Sequence, residues 1–179
     1  MSHSDIKLYT KCLNFAAKKH KDHRRMDAAS TPYVNHVIGT AYILSNEAGV
    51  RCQRLLMAAF LHDTVETTNT SFEEIESYFG KFVRDLVEEV SDDMSLPKPE
   101  RKRLQIERAP NSSFAAKLLK LADKLYNLRD LDTTIPVGWT EEDCDEYFEW
   151  AAKVIKGLRG TNAELEKQID IILQKRGVL

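Results

Sequence analysis

A histidine and an aspartate stand side by side at the end of an apolar segment in the first half of the chain. His62 and Asp63 follow the hydrophobic residues 55–61, with His36 upstream and Asp123 downstream. Two imidazoles and two carboxylates suit manganese, iron or zinc, and they leave coordination positions open for water and a phosphate oxygen. The sequence therefore predicts a site for one divalent metal at these four residues.

Glu66 is placed to act on a water molecule at such a site. It lies four residues after His62 and three after Asp63, so on a helix it shares their face. A divalent metal lowers the pKa of its bound water and neutralises charge that builds up on a phosphate. The predicted chemistry is hydrolysis of a phosphoester or a phosphoanhydride. A redox reaction is disfavoured, because the sequence has no Gly-rich dinucleotide loop and no second, bridging metal set.

Each part of this set has a structural alternative when it is taken alone. His36 also fits a hydrogen-bonded structural histidine. The pair of His62 and Asp63 also fits a capped helix end. The presence of all four residues favours the metal site over both alternatives.

The spacing of apolar residues predicts that helices position these side chains. No segment alternates as a strand would, so we expect an all-α fold of about eight or nine helices. Asp123 and Asn127 then stack on one face of a late helix. Residues 92–99 are predicted to form a loop, because two prolines interrupt the helical pattern. The predicted helices span residues 4–22, 32–49, 52–65, 72–79, 82–90 and 100–108 and then start at Ser112 or Ser113, at Thr140 and at Thr161, with Ser4, Ser71, Thr140 and Thr161 as caps.

Length and composition restrict the class of protein. The 179 residues fit one domain, residues 1–179, and the formal net charge of −2 gives no reason to expect nucleic-acid binding. Cys12, Cys52 and Cys144 lack a C-x-x-C pairing and are expected to be reduced thiols. The chain has no apolar run of about 18 residues and no basic-then-apolar N-terminus. We therefore expect no membrane association and a cytoplasmic location, with the nucleus as an alternative.

A basic segment ends the first predicted helix. Such residues usually form a solvated face. Attraction of phosphate groups, which arginine binds in bidentate fashion, is the alternative. The segment consists of Lys18, Lys19, His20, Lys21, His23, Arg24 and Arg25.

Four sequence blocks, in this order, resemble a known enzyme family. They are TPYVNH at 31–36, AAFLHDTVE at 58–66, KLADKLYNLRD at 120–130 and EYFEWA at 146–151. Together they resemble the HD-domain metal-dependent phosphohydrolases. The likeness is specifically to the small single-domain (p)ppGpp hydrolases of animals, which are related to the hydrolase half of the bacterial synthetase/hydrolase proteins. The resemblance extends over nearly the whole chain.

The resemblance implies a fold, a cofactor and a reaction. The fold is an HD-domain helical bundle, and the cofactor is one Mn²⁺ ion per site. The reaction removes pyrophosphate from the 3′ position of guanosine tetra- or pentaphosphate and leaves GDP or GTP. Glu66 would orient or deprotonate the attacking water, and Arg25 would face the substrate phosphates. The nucleotide would be held by Asn127 and Tyr147, and the metal by His36, His62, Asp63 and Asp123.

Three residues depart from the family pattern. This chain has Thr67 where family members commonly have the aspartate of a catalytic Glu-Asp pair, so Glu66 and Thr67 occupy the predicted catalytic positions. Met26 stands where a lysine is common, and Asp143 where an arginine is common. Loss of an electrostatic or acid/base partner can cost about 10²- to 10⁴-fold in rate.

These departures leave the function with alternatives. We expect Glu66 alone to support slower turnover, with Lys18, Lys21 or Arg24 partly replacing the missing cations. A less cationic pocket also suits another phosphorylated nucleotide, such as a dinucleotide with a ribose phosphate. A nucleotide sensor without turnover is the alternative from a different class.

Overall fold

The protein is described by a computed structural model that covers residues 3–179, with side chains from Asp5 onward. Within that range it has ten α-helices and no strand, and an isolated bridge joins Arg24 to Pro32. The helix α4 is a single turn of 4 residues, whereas the other nine have eight or more. The predicted all-α fold is confirmed, and the nine longer helices agree with the predicted number of eight or nine. Among the described helices, none combines the length and the apolar character needed to cross a membrane.

The chain divides into two compact units, which are described separately. The first comprises residues up to Arg25 together with residues 31–91, and the second comprises residues 26–30 and 92–179. The single domain over residues 1–179 stays a prediction, as does the cytoplasmic location. All three cysteines are free, with Cys12 and Cys144 buried and Cys52 exposed.

The first unit is built around the helix that precedes the His-Asp pair. This helix, α3, packs against α1, α2 and α6, and six of its nine residues are buried because the sequence there is apolar on most sides. The helices are α1 (His3–Lys19), α2 (Val34–Tyr42), a π-helix (Ile43–Glu47), α3 (Gln53–Leu61), α4 (Thr64–Thr67), α5 (Phe72–Phe79) and α6 (Lys81–Val90).

The predicted third helix, residues 52–65, is wrong as a continuous element, because it breaks at the His-Asp pair. The Thr64 hydroxyl donates to the carbonyl of Leu61 at 2.6 Å, and His62 Nδ1 lies 2.7 Å from the carbonyl oxygen of Ala59. These side chains bond carbonyls at the end of α3, a local competition that apolar spacing does not reveal. The break therefore places His62 and Asp63 between two helices rather than along one.

Two further boundaries in this unit differ from the prediction. Helix α1 ends at Lys19 instead of residue 22, and α2 begins at Val34 instead of residue 32. The intervening backbone pairs with itself, since Arg25 N donates to Thr31 O at 2.8 Å and Tyr33 N donates to His23 O at 3.0 Å. Paired backbone of this kind cannot continue a helix. The predicted cap Ser4 lies outside the described side chains.

The second unit is organised around a long helix, α8, which packs against α9 and α10, while α7 packs against α9. The predicted cap Thr140 is confirmed, because its hydroxyl accepts from Asp143 N at 3.1 Å. Of the two predicted starts of α8, Ser113 is the one that the structure uses, since its hydroxyl accepts from Ala116 N at 3.2 Å. The helices are α7 (Lys98–Arg108), a 3₁₀ turn (Ala109–Asn111), α8 (Phe114–Thr133), α9 (Glu141–Leu158) and α10 (Ala163–Lys175).

Two predictions in this unit are wrong by one or two residues. The cap of α10 is Asn162, which accepts from Leu165 N at 3.0 Å, whereas the Thr161 hydroxyl donates back to Leu158 O at 2.6 Å. Helix α7 begins at Lys98, inside the predicted loop. Pro99 is tolerated there because an N–H in the first helical turn has no intrahelical partner to lose.

Candidate metal centre

His62 lies at the C-terminal end of α3 and is only 6% exposed. Its Nδ1 is 2.7 Å from the carbonyl oxygen of Ala59. A carbonyl only accepts, so Nδ1 must carry the proton and donate. In a neutral imidazole the other nitrogen, Nε2, then keeps its lone pair. The fold thereby presents Nε2 as the nitrogen able to bind a cation.

Asp63 brings the two histidines of the first unit together. Its Oδ2 lies 3.2 Å from His62 Nε2 and 3.3 Å from His36 Nε2. His36 is the third residue of α2 and is 1% exposed, and the two imidazole rings are 5.2 Å apart. Three of the four predicted metal ligands, two nitrogens and one oxygen, thus converge within a single unit.

The electrostatics keep the Asp63 carboxylate ionised. Burial raises the pKa of Asp63, but the imidazoles of His62 and His36, when they carry a second proton, hold it well below its usual value by charge and by hydrogen bonding. An ionised carboxylate beside two imidazole nitrogens is a donor set for a divalent cation. The residues present in the first unit therefore fit the metal predicted from the sequence.

Tyr33 completes this cluster, and sequence reasoning gave it no role. Its hydroxyl donates to Asp63 Oδ2 at 2.7 Å, and its ring stacks on His23 with 3.8 Å between centroids. The available clue was its position, a phenol three residues before His36 in the TPYVNH block. Spacing alone does not reveal that the hydroxyl reaches Asp63.

The basic segment at the end of α1 is only partly a solvated face. His20 is 1% exposed, and burial lowers its pKa to about 4. Lys19 pairs with Glu74 at 2.8 Å. The Arg24 guanidinium donates to the carbonyls of Lys21 and His23, so it is bound to its own loop. This does not favour Arg24 as a replacement cation, whereas the Lys18 and Lys21 side chains are exposed.

The two predicted catalytic positions lie on α4, directly after Asp63. Glu66 is half-buried, and Thr67 is exposed. The Thr67 hydroxyl donates to the carbonyl of Asp63 at 2.6 Å. Arg25, the predicted phosphate contact, lies with its guanidinium 5.7 Å from the centre of the Tyr33 ring. All three predicted residues are therefore local to the His-Asp pair or to its tyrosine neighbour.

Asp123 lies on α8 in the second unit, where both of its oxygens have partners. Asn127 Nδ2 donates to Oδ1 at 2.8 Å, as the predicted stacking four residues apart requires, and Lys124 Nζ lies 3.0 Å from Oδ2. Lys124 is itself only 6% exposed. The carboxylate is consequently held in one orientation. Asn127, predicted to contact substrate, contacts Asp123.

Tyr147 lies on α9 among aromatic and cationic side chains of the same unit. Its ring is 6.1 Å from that of Trp139 and 5.2 Å from that of Trp150. Lys98 lies over the Trp139 ring at 6.0 Å, and Lys102 over the Trp150 ring at 5.0 Å. Aromatic faces and ammonium groups together suit a nucleobase and its phosphates.

Asp143 has a structural role that the sequence did not suggest. Its Oδ2 accepts from the backbone N–H of Thr140 at 2.8 Å and from the Thr140 hydroxyl at 2.9 Å. These bonds lower the pKa of the Asp143 carboxyl. The residue therefore completes a capping box at the start of α9.

Known proteins resemble this chain over most of its length. Residues 12–142 match the HD-domain family. The chain is 58% identical to guanosine-3′,5′-bis(diphosphate) 3′-pyrophosphohydrolase MESH1 of Xenopus tropicalis over 98% of each protein, and 58% identical to the MESH1 of Homo sapiens over 92% of each.

A solved structure gives the same likeness at the level of the fold. That protein is described as a metazoan orthologue of SpoT that hydrolyses ppGpp and plays a role in starvation responses. It superposes with a TM-score of 0.95 at 57% identity, covering 96% of this chain and 97% of the other. The paired histidines, the aspartate that faces both of them and these matches establish that the chain belongs to the HD-domain family, in the group that contains the animal MESH1 proteins.

Proposed function

We propose that this chain hydrolyses guanosine 3′,5′-bis(diphosphate), or the corresponding pentaphosphate, to GDP or GTP and pyrophosphate. The observation that carries the proposal is 58% identity, over 98% of both chains, to a protein named for this activity. The convergence of His36, His62 and Asp63 supports it, because this donor set suits metal-assisted hydrolysis of phosphate compounds.

The proposed cofactor is one Mn²⁺ ion held by His36, His62, Asp63 and Asp123. Support comes from the ligand types, since two imidazoles and two carboxylates suit manganese, iron or zinc. The Asp63 oxygen that faces both imidazoles would be one of the four ligands. When bound, the ion would supply acidification of water and neutralisation of phosphate charge. The choice of manganese over iron or zinc follows the family resemblance.

The chain's own residues would perform the remaining steps. Glu66, on the turn after Asp63, would orient the water and take its proton. The water oxygen would bond to the phosphorus attached to the ribose 3′ oxygen as the bond from that phosphorus to the 3′ oxygen breaks, and the proton taken by Glu66 would pass to the leaving 3′ oxygen. Arg25 would face the phosphates. Tyr147 would support the base, and Asn127 would orient Asp123 in addition to any contact with the nucleotide.

The test is product identification after incubation of purified protein with ppGpp, with and without added Mn²⁺. We expect GDP and pyrophosphate in equal amounts, dependent on the metal. His62→Ala and Asp63→Ala should abolish product. Asp85→Ala is the matched control, because Asp85 makes an exposed ion pair with Lys81 on α6 and such pairs contribute little to stability.

A panel of nucleotides separates the alternatives. Faster turnover of a ribose-phosphorylated dinucleotide than of ppGpp would transfer the assignment to that substrate. Tight binding of intact ppGpp, with no product over hours in the presence of Mn²⁺, would identify a sensor and contradict the proposal. The sensor is a specific alternative because this chain has Thr67 at a position where the family commonly has an acid.

A further inference from the structure

We infer that Tyr33 is a positioning residue that orients the Asp63 carboxylate for metal binding. The inference rests on the proposed metal site and goes beyond it, because it adds a residue that binds neither the metal nor the substrate. It concerns the hydrogen bond from the Tyr33 hydroxyl to Asp63 Oδ2, which is 2.7 Å long.

The Tyr33 hydroxyl donates to the carboxylate oxygen of Asp63 that faces both imidazoles. Asp63 Oδ2 is the same atom that lies 3.2 Å from His62 Nε2 and 3.3 Å from His36 Nε2. A carboxylate turns easily about its terminal torsion, whose energy wells are broad. A phenol donor on Oδ2 restricts that rotation. Because an ionised oxygen can accept more than one partner, Tyr33 and a cation can share it.

The tyrosine is itself fixed on several sides. Its ring stacks on His23 with 3.8 Å between centroids and 7° between planes, and the His20 ring lies 5.0 Å away. The Tyr33 backbone N–H donates to the carbonyl of His23 at 3.0 Å. A donor held this way loses little conformational entropy when it bonds the carboxylate, which is the requirement for a preorganised site.

The same arrangement gives a structural role to His20 and His23, which take no part in the proposed reaction. His20 and His23 approach each other with 3.4 Å between their Nδ1 atoms, next to the Tyr33 ring. His20 is buried and His23 is stacked on the Tyr33 ring, so both histidines pack against Tyr33 and restrict its movement. The flat surface of His23, rather than its charge, is what the geometry requires.

The experiment measures Mn²⁺ binding to metal-free protein by titration calorimetry. Tyr33→Phe keeps the ring and removes only the hydroxyl, and we expect the Kd for Mn²⁺ to rise about 10- to 100-fold, as for other residues that orient metal ligands. The matched control is Tyr42→Phe, the same deletion on a side chain of α2 that is 59% exposed, and its Kd should equal that of the wild type. At saturating Mn²⁺ the Tyr33→Phe variant should recover most of its kcat.

A pair of substitutions tests the stack independently. His23→Ala removes the flat surface and should weaken Mn²⁺ binding, whereas His23→Phe retains it and should restore wild-type affinity. If Tyr33→Phe and His23→Ala both bind Mn²⁺ like the wild type, Tyr33 has no positioning role. That result leaves the metal site intact as long as His62→Ala fails to bind. Absence of Mn²⁺ binding by the wild type would instead overturn the proposed cofactor, and this inference with it.

Discussion

At the scale of single residues, the tautomer of His62 decides which of its nitrogens can bind a cation. The bond from Nδ1 to the Ala59 carbonyl leaves Nε2 facing Asp63. The ligand types could be predicted from the sequence, because His36, His62, Asp63 and Asp123 occur within recognisable blocks. The orientation of each side chain could not, since it depends on hydrogen bonds that close only in the folded chain.

Thr67 allows a direct test of whether the missing acid limits the rate. We expect Thr67→Asp to raise kcat, because a second carboxylate beside Glu66 would assist proton transfer, a role generally worth about 10²- to 10⁴-fold. The side chain is exposed, so an aspartate fits without repacking. The measurement is kcat at saturating Mn²⁺ and ppGpp.

Thr67→Asn is the control for that substitution, because it has the shape of aspartate without the charge. Like Thr67→Asp, it also removes the hydroxyl bond to the Asp63 carbonyl. A gain in the aspartate variant alone would identify the charge as the cause. A fast wild-type enzyme with no gain in Thr67→Asp would show that threonine is not a defect at this position.

Because of His20, we expect the free energy of unfolding to fall in acid. Burial lowers its pKa from 6.5 to about 4, so below pH 6.5 the unfolded chain takes up a proton that the folded chain resists. The free energy of unfolding should therefore fall as the pH is lowered from 6.5 to 4, and the contribution of His20 is at most about 3 kcal/mol. At higher pH this contribution is constant.

Urea denaturation at a series of pH values measures this effect. His20→Gln should show a smaller decline than the wild type between pH 6.5 and 4, whatever its stability at neutral pH. Between pH 6.5 and 8 the two proteins should vary in parallel, which serves as the internal control. An equally steep decline in His20→Gln would assign the acid sensitivity to other groups.

At the scale of helices, two caps could be predicted from a Ser or Thr that stands directly before the helical pattern. Ser71 and Thr140 are such positions, and both accept a backbone N–H as expected. At the start of α10, Thr161 and Asn162 are adjacent cap types, and the sequence does not distinguish them. The break after Leu61 was also missed, because it depends on side-chain bonds to carbonyls at the end of α3.

The capping box of α9 yields a prediction about Asp143. Asp143→Ala removes the acceptor for the Thr140 backbone N–H and hydroxyl, so it should lower the free energy of unfolding by about 1 kcal/mol. Thermal or urea denaturation gives the value. Asp145→Ala, at an exposed position two residues further along the same helix, is the control and should change stability by less than about 0.5 kcal/mol.

The same variant tests the charge hypothesis for substrate binding. If Asp143 repels the nucleotide, Asp143→Ala should lower KM for ppGpp despite the lost stability. An unchanged KM would show that Asp143, which stands where the family commonly has arginine, acts only in the helix cap.

At the scale of the whole molecule, the all-α fold could be predicted because the apolar spacing of most helices is clear and turn residues separate them. The division into two compact units could not, since every unit uses the same kinds of amphipathic helix. Local pattern identifies the helices, whereas the grouping of helices depends on contacts between residues far apart in sequence.

Metal binding should stabilise the folded chain as a whole. With free Mn²⁺ at 100 times its Kd, the free energy of unfolding should rise by about 2.7 kcal/mol, because the unfolded chain lacks the assembled ligands. Thermal unfolding with and without Mn²⁺ measures the shift, and a chelator should reverse it. His62→Ala should show no shift. An equal shift in that variant would mean that Mn²⁺ binds elsewhere.

Because His62 follows directly on the buried helix α3, cation affinity at the proposed site should depend on how the hydrophobic interior packs. Met57, Ala58 and Ala59 are fully buried on the turn that ends at this histidine, and Ala59 itself holds the imidazole. A cavity or an oversized side chain introduced there would tilt the ring before it unfolded the protein. Conservative substitutions in α3 should consequently give proteins that are intact by circular dichroism yet bind a cation weakly at the proposed site.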